Sequence, residues 1–217
     1  PGEFETDVVA FLDPRSEAMG VRVLCVEESL ELEGDVQSMI KKLETPEEYD
    51  LIRTMFGIPE SSEEIGGQFP LNMHLHLLNG VAFDKGCYIG QELTQRTFHT
   101  GVIRRVALPF LIISKDQDQN SSLNLDLKDF VPLENVDKSF DLEIKGEQIF
   151  GKKGEDGKLV KIGKVLASKH NIGIALIDLT KLDKLGSQVR IFLDDYKVML
   201  WQPTWLDMVL NVDYPVD

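Results

Sequence analysis

Residues 79–105 read NGVAFDKGCYIGQELTQRTFHTGVIRR, and no other segment says as much about the architecture and chemistry of the chain. Near its centre lies Cys87, one of two cysteines in the chain, between Gly86 and Gly90. Because residues four apart lie one above the other on a helix, the two glycines predict a helical face without side-chain bulk, which a ligand or another backbone can approach closely. Cys87 is therefore a candidate for chemistry as well as for packing.

A helix is predicted to begin next to this cysteine. Asp84 can cap a helix that runs to about residue 97, with Ile89 and Leu93 as its core contacts. Peptide N–H groups and the positive end of the helix dipole would then lie near Cys87 and favour thiolate over thiol. The segment thus predicts a reactive or metal-binding thiol. The alternative is a cysteine that only fills space beside the glycines.

The composition limits the classes of protein to which this chain can belong. The chain has 217 residues, of which 42% are hydrophobic and 28% charged, an ordinary globular mixture with room for two lobes. Its net charge of −14 argues against a general nucleic-acid-binding protein, because phosphate contacts need a basic surface. No apolar run approaches the roughly 20 residues that span a bilayer, so no membrane insertion is expected. The two cysteines are too few for a disulfide scaffold and favour a reducing compartment.

The segments before the cysteine predict a strand pair and a helix. Residues 8–12 and 19–26 have the pattern of strands and are separated by a turn sequence, so they predict a hairpin. Cys25, in the second strand, is predicted to be a small buried hydrophobe. Thr45 is predicted to cap a helix that has Pro46 at its first position. The predicted core face of that helix consists of Tyr49, Ile52 and Phe56.

The pattern changes at residue 102, after which short strands and turns alternate. Closely spaced short strands with intervening turns are typical of a small barrel or sandwich. A polar run at residues 115–129 is predicted to be a surface insertion. The predicted strands are residues 102–114, 141–150, 158–167, 172–178 and 188–193.

Taken together, residues 79–105 resemble the YgfZ branch of the glycine-cleavage T-protein-like, folate-binding-fold family. Within them the similarity is carried in particular by Thr94, Arg96, His99 and Gly101. It continues outside them in Asp13-Pro14-Arg15, in residues 53–59, in residues 163–173 and in Trp201-Gln202-Pro203.

The resemblance implies an α+β fold in two parts. Residues 1–101 would be the C-terminal portion of a T-protein-like folate-binding-fold lobe, which carries the cysteine motif. Residues 102–217 would form a small antiparallel β-barrel.

The same resemblance implies a role in iron–sulfur cluster maturation and no enzymatic activity. It implies an assembly factor for 4Fe–4S clusters, imported into the mitochondrial matrix by a transit peptide, that acts with A-type iron–sulfur carrier proteins on 4Fe–4S client apoproteins. Cys87 would be the functional thiol and a transient iron–sulfur ligand, sharing the cluster with a partner, because a cluster usually takes four protein ligands. The other residues expected to bind a cofactor or partner are Lys85, Gly86, Tyr88, Gly90, Gln91, Glu92, Arg96, His99, Arg104 and Arg105.

Charge around the motif leaves further interpretations open. Residues 81–105 carry a net charge of +2 in a chain whose total is −14. A basic region on an acidic protein attracts an anionic cofactor tail or an acidic partner. Alternatively, Arg104 and Arg105 merely flank a barrel strand. A weaker hypothesis is a tRNA-modification helper that binds RNA through these two arginines, and the overall acidity counts against it.

An alternative function is a folate-dependent one-carbon transferase that binds tetrahydrofolate through Lys85, Gln91, Glu92 and Arg96. Two departures from the T-protein pattern argue against it. Met55 stands where the T-protein has a pterin-binding glutamate. A carboxylate accepts the paired N–H donors of a pterin, and a thioether is a poor substitute for it. Each buried N–H donor without a partner costs about 1–3 kcal/mol. The catalytic aspartate of the T-protein lies in an N-terminal part that this chain is expected to lack.

Overall fold

A computed structural model of the chain describes residues 8–16, 19–25, 46–113, 136–141, 144–154, 157–186, 189–203 and 205–206. These residues form a two-stranded hairpin, several helices and a closed β-barrel, so the predicted mixture of helices and sheet is confirmed. The predicted cap Thr45, the predicted insertion at residues 115–129 and the side chain of Cys25 lie outside the described part. The assignment of residues 1–101 to a T-protein-like lobe stays a prediction.

The N-terminal hairpin forms as predicted. Strand β1, Val8–Leu12, pairs antiparallel with strand β2, Val21–Cys25. Asp13 holds the turn, because its carboxylate accepts hydrogen bonds from Nε of Arg15 at 3.0 Å and from Nε of Arg22 at 2.7 Å. The hydrogen bonding by Arg15 is the main cause that holds the pKa of the buried Asp13 well below its usual range. The turn is therefore fixed by a carboxylate that stays ionised.

Helix α1, Pro46–Met55, has the predicted proline at its first position, and the chain leaves it at Gly57, whose φ is 63°. The predicted core face of α1 is wrong: its three residues are half-buried, whereas Leu51 and Met55 are buried. The reason is that the C-terminal part of the chain packs against the side of α1 that carries these two residues. Their buried neighbours there are Leu111, Ile172 and Trp201.

Two tryptophans from the C-terminal part complete the end of α1. Nε1 of Trp201 donates to the carbonyl of Met55 at 3.0 Å, and Nε1 of Trp205 donates to the carbonyl of Phe56 at 2.7 Å. The last carbonyl groups of a helix have no partners within the helix, so these bonds satisfy groups that would otherwise need water. Sequence patterns could not predict them, because the partners lie 146 and 149 residues apart.

Short helical segments connect α1 to the barrel. Helix α2, Ser62–Ile65, is fixed by a capping box between Ser61 and Glu64. A 3₁₀ turn follows at Pro70–Met73, and helix α3 spans Gln91–Thr100. Among the helices that the structure describes, none is long and apolar enough to cross a membrane.

The described residues of the C-terminal part form six strands: Arg105–Ile113 (β3), Gln148–Lys153 (β4), Val160–Lys169 (β5), Ile172–Asp178 (β6), Val189–Leu193 (β7) and Tyr196–Leu200 (β8). They close into a barrel in the order β3-β6-β5-β4-β7-β8, with antiparallel pairing throughout. The predicted antiparallel barrel is thus confirmed. The sequence analysis missed β8 and also helix α4, Leu179–Leu185, which follows β6 directly.

The barrel interior is the main hydrophobic core. Phe110, Ile149 and Ile177 are fully buried inside it, and Leu77, from the segment before the cysteine, packs against the same cluster. Since α1 also shares a cluster with barrel strands, the helical part and the barrel are packed together. The division between residues 101 and 102 stays a prediction from the sequence.

The buried imidazole of His74 predicts a loss of stability in weak acid. Its Nε2 lies 2.8 Å from the carbonyl of Ala107, and burial lowers the pKa of His74 to about 4 from its usual 6.5. Because the folded state holds this group neutral, its contribution is complete above pH 6.5 and is lost as the pH falls from 6.5 towards 4. We expect the free energy of unfolding to decline in that range, by up to about 3 kcal/mol from this group.

Urea unfolding of the native protein and of His74→Gln, at intervals of pH from 7 to 4.5, measures this contribution. The decline should be shallower in His74→Gln. His99→Gln, a change at an exposed histidine of α3, is the matched control and should follow the native profile. Parallel profiles for the native protein and His74→Gln would contradict the assignment.

Candidate functional site

Cys87 is an exposed free thiol. It lies in an irregular segment, residues 84–90, in which every residue is exposed. A reagent or a partner protein can therefore reach its sulfur directly.

The predicted helix start is wrong. Helix α3 begins at Gln91, and its N-cap is Gly90, whose φ of 92° is left-handed and whose backbone therefore cannot continue a helix backwards. Asp84 is consequently not the cap, and Cys87 precedes the helix instead of standing at its first turn. The helix ends at Thr100, three residues beyond the predicted end, and Gly101 is its C-cap, with φ of 66°.

The predicted glycine face is also wrong. Gly86 and Gly90 lie outside α3, so they do not share a helical face. A Cβ atom added at either glycine would meet no heavy atom within 4 Å, so both border open space instead of a closely packed backbone. Gly90 has a conformational role, since it sets the turn into α3, and Gly86 leaves space beside the thiol.

Ile89 and Leu93, predicted as core contacts of the helix, are exposed. The core side of α3 instead carries Phe98, whose ring stacks on Phe83 with centroids 3.8 Å apart, and the buried Thr94. The periodicity of the sequence could not decide between these sets, because both contain apolar residues. The local conformation at the glycine turn leaves Ile89 and Leu93 on the surface.

Local contacts order the segment around Cys87. The backbone N–H of Tyr88 donates to Oε1 of Gln91 at 3.2 Å, so this glutamine ties the loop to the first turn of α3. Nζ of Lys85 lies 5.5 Å from the ring centroid of Tyr88, within the range of a cation–π contact. The residues of the motif thus contact each other on both sides of the thiol. The other predicted residues of α3, Glu92, Arg96 and His99, lie on its exposed face.

The two predicted arginines after α3 belong to the barrel surface. Arg104 and Arg105 are both exposed. The carbonyl of Arg104 accepts from the N–H of Leu179 at 2.9 Å, and Nε of Arg105 lies 3.9 Å from Oδ2 of Asp178. Among the described residues, neither arginine forms a hydrogen bond or an ion pair with Cys87. Arg104 precedes the first barrel strand and Arg105 is its first residue, and a role of these arginines in binding a cofactor or partner stays a prediction from the sequence.

The described residues contain no group of three or more His, Cys, Asp or Glu side chains that could hold a metal ion. They also do not fit a pterin. Met55 is buried in a core cluster, and the two buried carboxylates in the described part, Asp13 and Glu64, are each already paired with an arginine. No free buried carboxylate is thus present there for the N–H donors of a pterin, and folate binding stays a prediction from the sequence.

The sequence analysis missed one unusual side chain beneath this surface. His76 lies edge-on to Phe98, with ring centroids 6.3 Å apart, and its buried Nδ1 has no hydrogen-bond partner. Burial lowers the pKa of His76 to about 4, so the ring is neutral at physiological pH. The only sequence signal for this residue was a histidine within an apolar run. The His76 ring packs against Phe98 on the inner side of α3, so His76 is not part of the exposed site.

Comparisons with known proteins relate the chain to one named group. No protein-family model matches it. A protein of Coccidioides immitis, named iron-sulfur cluster assembly factor IBA57 homolog, mitochondrial, is 32% identical over 188 residues, which cover 85% of this chain and 42% of that protein. A protein of the same name from Dictyostelium discoideum is 42% identical over 117 residues, 52% of this chain and 28% of that protein.

A mouse protein, named iron-sulfur cluster assembly factor IBA57, mitochondrial, is 43% identical over 104 residues, 45% of this chain and 26% of that protein. The matches thus span less than half the length of these relatives. The chain is therefore a homologue of proteins named mitochondrial iron–sulfur cluster assembly factor IBA57, and it corresponds to part of their sequence.

Proposed function

We propose that this protein is a non-enzymatic assembly factor of the mitochondrial matrix that helps to mature 4Fe–4S clusters. Its partners would be A-type iron–sulfur carrier proteins, which bring cluster units, and 4Fe–4S client apoproteins, which receive them. Support comes from the names of the homologues and from the exposure of Cys87 in the segment that carries the family resemblance. The reachable thiol is the observation that carries the mechanism.

Cys87 would act by ligand exchange. Its Sγ releases a proton to solvent and forms a bond to an iron atom of the incoming cluster, while a carrier thiolate leaves the same iron atom and takes up a proton. No electron is transferred in this step. Since the described residues offer no three-residue ligand group, the partner supplies the remaining ligands, in keeping with the usual four per cluster.

Replacing Cys87 with serine should slow cluster transfer by more than about tenfold, because a hydroxyl is a much poorer ligand for cluster iron than a thiolate. The assay is anaerobic transfer from a cluster-loaded A-type carrier to a 4Fe–4S apoenzyme, followed by the recovery of its activity. Cys25→Ser introduces the same change at the other cysteine and is the matched control, which should transfer at the native rate. Circular dichroism and urea unfolding establish that both variants fold.

Transfer at the native rate by Cys87→Ser would remove the thiol from the mechanism. Equal losses in Cys87→Ser and Cys25→Ser would also contradict the proposal, because the loss would then not be specific to the exposed thiol.

A further inference from the structure

The barrel wall formed by β4 and β7 lies on the opposite side from the helical part. In the closed order of the strands, β4 stands opposite β3, and β7 stands opposite β6. Leu51 and Met55 of α1 pack with residues of β3 and β6, and Met73 of the 3₁₀ turn packs with residues of β3, β5 and β6. Within the described residues, neither cluster includes any residue of β4 or β7. The wall of β4 and β7 is therefore not covered by α1 or by the 3₁₀ turn.

Two phenylalanine rings point outward from this wall. Successive side chains of a strand point to opposite faces, and the neighbours Ile149, Ile191 and Leu193 belong to the interior cluster. Phe150 in β4 and Phe192 in β7 therefore lie on the outer face, where both are half-buried. They are directly opposite each other in the pairing of the two strands, so their Cβ atoms lie about 5 Å apart. The two rings thus form one continuous apolar surface.

Lysine side chains continue the row of rings on both sides. Lys161 of β5 lies directly opposite Phe150, and Lys197 of β8 lies directly opposite Phe192. A single row across four neighbouring strands therefore reads cation, ring, ring, cation. At a strand spacing of about 4.8 Å, the row is about 14 Å long.

The four strands carry positive charge only. Together β4, β5, β7 and β8 contain seven lysine and arginine residues and no aspartate or glutamate. Next to the row of rings, Lys152 and Arg190 form a second pair of opposite residues. The carboxylates of Glu147 and of the turn Asp194-Asp195 lie at the other end of this wall. Residues 148–193 carry a net charge of +5 in a chain whose total is −14, so an anion is attracted to this wall and repelled by most of the remaining surface.

This combination of side chains matches a single strand of RNA. Bases stack on aromatic side chains that project from neighbouring strands of a sheet, and phosphates pair with the lysine and arginine residues beside them. A phenyl ring is shorter than a lysine side chain, so the two rings are recessed between the cations. A bilayer would instead need apolar side chains that project beyond the cations, and the carboxylates of an acidic protein do not stack on rings. Since most cellular DNA is paired, unpaired bases are chiefly those of RNA.

The acidity of the whole chain does not oppose a local site. At physiological ionic strength the Debye length is about 8 Å, so exposed carboxylates elsewhere are largely screened from a strand bound on this wall. They would, however, repel any length of RNA that extends beyond it. The charge distribution therefore favours a short unpaired segment and agrees with the sequence argument against a general nucleic-acid-binding protein.

We propose that the outer wall of β4 and β7 binds a short single-stranded segment of RNA. Two bases would stack on Phe150 and Phe192, with phosphates beside Lys152, Lys161 and Arg190. The inference goes beyond the proposed function and uses no residue of the cysteine motif. Full cluster transfer by Cys87→Ser would defeat the proposed function and leave RNA binding untouched, so the two failures are distinguishable.

Fluorescence anisotropy with the full chain and a labelled oligouridine of about ten nucleotides, within the size range that a small barrel binds, tests the rings. Phe150→Leu and Phe192→Leu should each weaken binding by about 5- to 100-fold, because leucine keeps apolar bulk but cannot stack on a base. Phe192→Tyr keeps a ring and should bind like the native protein. So should the matched control Phe11→Leu, which changes a ring that is 40% exposed on the N-terminal hairpin. Urea unfolding establishes that each variant folds.

The salt dependence of binding tests the cations. Lys161→Gln should reduce the slope of the logarithm of affinity against the logarithm of salt concentration by about 0.7, the value of one phosphate contact with a single strand. The control Lys145→Gln removes an exposed lysine that pairs with Glu63 outside the wall, and should keep the native slope.

A comparison that needs no variant uses the same oligouridine paired with oligoadenosine. The duplex should bind at least about tenfold more weakly, because its bases are already stacked on each other. Equal affinity for the single strand and the duplex overturns the proposal, as does native affinity in both leucine variants. An absence of oligouridine binding by the native protein also overturns it, and binding to vesicles of phosphatidylcholine and cardiolipin in that case would assign the wall to a membrane instead.

Discussion

Arg53→Met is expected to destabilise the protein by about 3–5 kcal/mol, the usual cost of leaving one member of a buried ion pair without its partner. Nη1 of Arg53 lies 2.9 Å and 2.8 Å from the two carboxylate oxygens of Glu64. The side chains of Arg53 and Glu64 are only 8% and 5% exposed. Without the arginine, the Glu64 carboxylate would still accept hydrogen bonds from the N–H of Glu60 at 2.7 Å and from the N–H of Ser61 at 3.3 Å. It would, however, have no cation beside it to balance its buried charge.

Urea unfolding at pH 7 measures this change. Lys145→Met is the matched control, because Nζ of Lys145 lies 3.1 Å from Oε2 of Glu63 in a pair whose side chains are 49% and 68% exposed. Its loss should cost less than about 1 kcal/mol, since solvent screens an exposed pair. The double variant Arg53→Met with Glu64→Met should recover part of the stability, because it removes the unpaired charge. Equal effects of Arg53→Met and Lys145→Met would show that burial does not set the cost.

Gly173→Ala is expected to destabilise the barrel by about 2–3 kcal/mol, because the added methyl group has no space. Gly173 lies opposite Phe110 in the pairing of β6 with β3. A Cβ atom there would lie 2.4 Å from the carbonyl oxygen of Ala167 and 2.6 Å from Cζ of Phe110. Both neighbours would have to move, and one of them is backbone within the sheet.

The matched control is Gly86→Ala, where the same methyl group meets no heavy atom within 4 Å and the backbone is not left-handed. We expect its effect on the free energy of unfolding to stay within about 0.5 kcal/mol. Gly173→Ala combined with Phe110→Leu should not restore native stability, because the shorter side chain leaves the clash with the Ala167 carbonyl in place. If Gly173→Ala unfolds at the same urea concentration as Gly86→Ala, the close approach is not a constraint on the fold.

The elements of this fold could be predicted where local chemistry decides them. Residues 8–12 and Pro46 were recognised from a short apolar run, a turn sequence and a proline at a helix start, and each element forms. The barrel was recognisable because its strands are short, closely spaced and separated by turns. Strand β8 was missed although the turn before it, Asp194-Asp195, consists of turn-forming residues, so the signal for a hairpin was present in the sequence.

The sequence located the candidate site at Cys87, but it did not predict which side chains are exposed around that residue. The motif pointed to Cys87, yet an apolar residue beside a helix is usually a core residue, so Ile89 and Leu93 were assigned to the interior. Which apolar residues pack inside depends on tertiary contacts, and here Phe83 and Phe98 take that place. A glycine can begin a helix as well as lie within one, so the sequence did not show that α3 starts only after Gly90.

The indole groups of Trp201 and Trp205 also bear on how the chain folds during synthesis. A ribosome adds roughly 5–20 residues per second, so the donor for the Met55 carbonyl, 146 residues downstream, is made roughly 7–30 s after its acceptor. Throughout that interval the apolar side of α1, with Leu51 and Met55, lacks its buried contact with Trp201. Nascent chains of this protein should therefore depend on chaperones until Trp201 and Trp205 have left the exit tunnel.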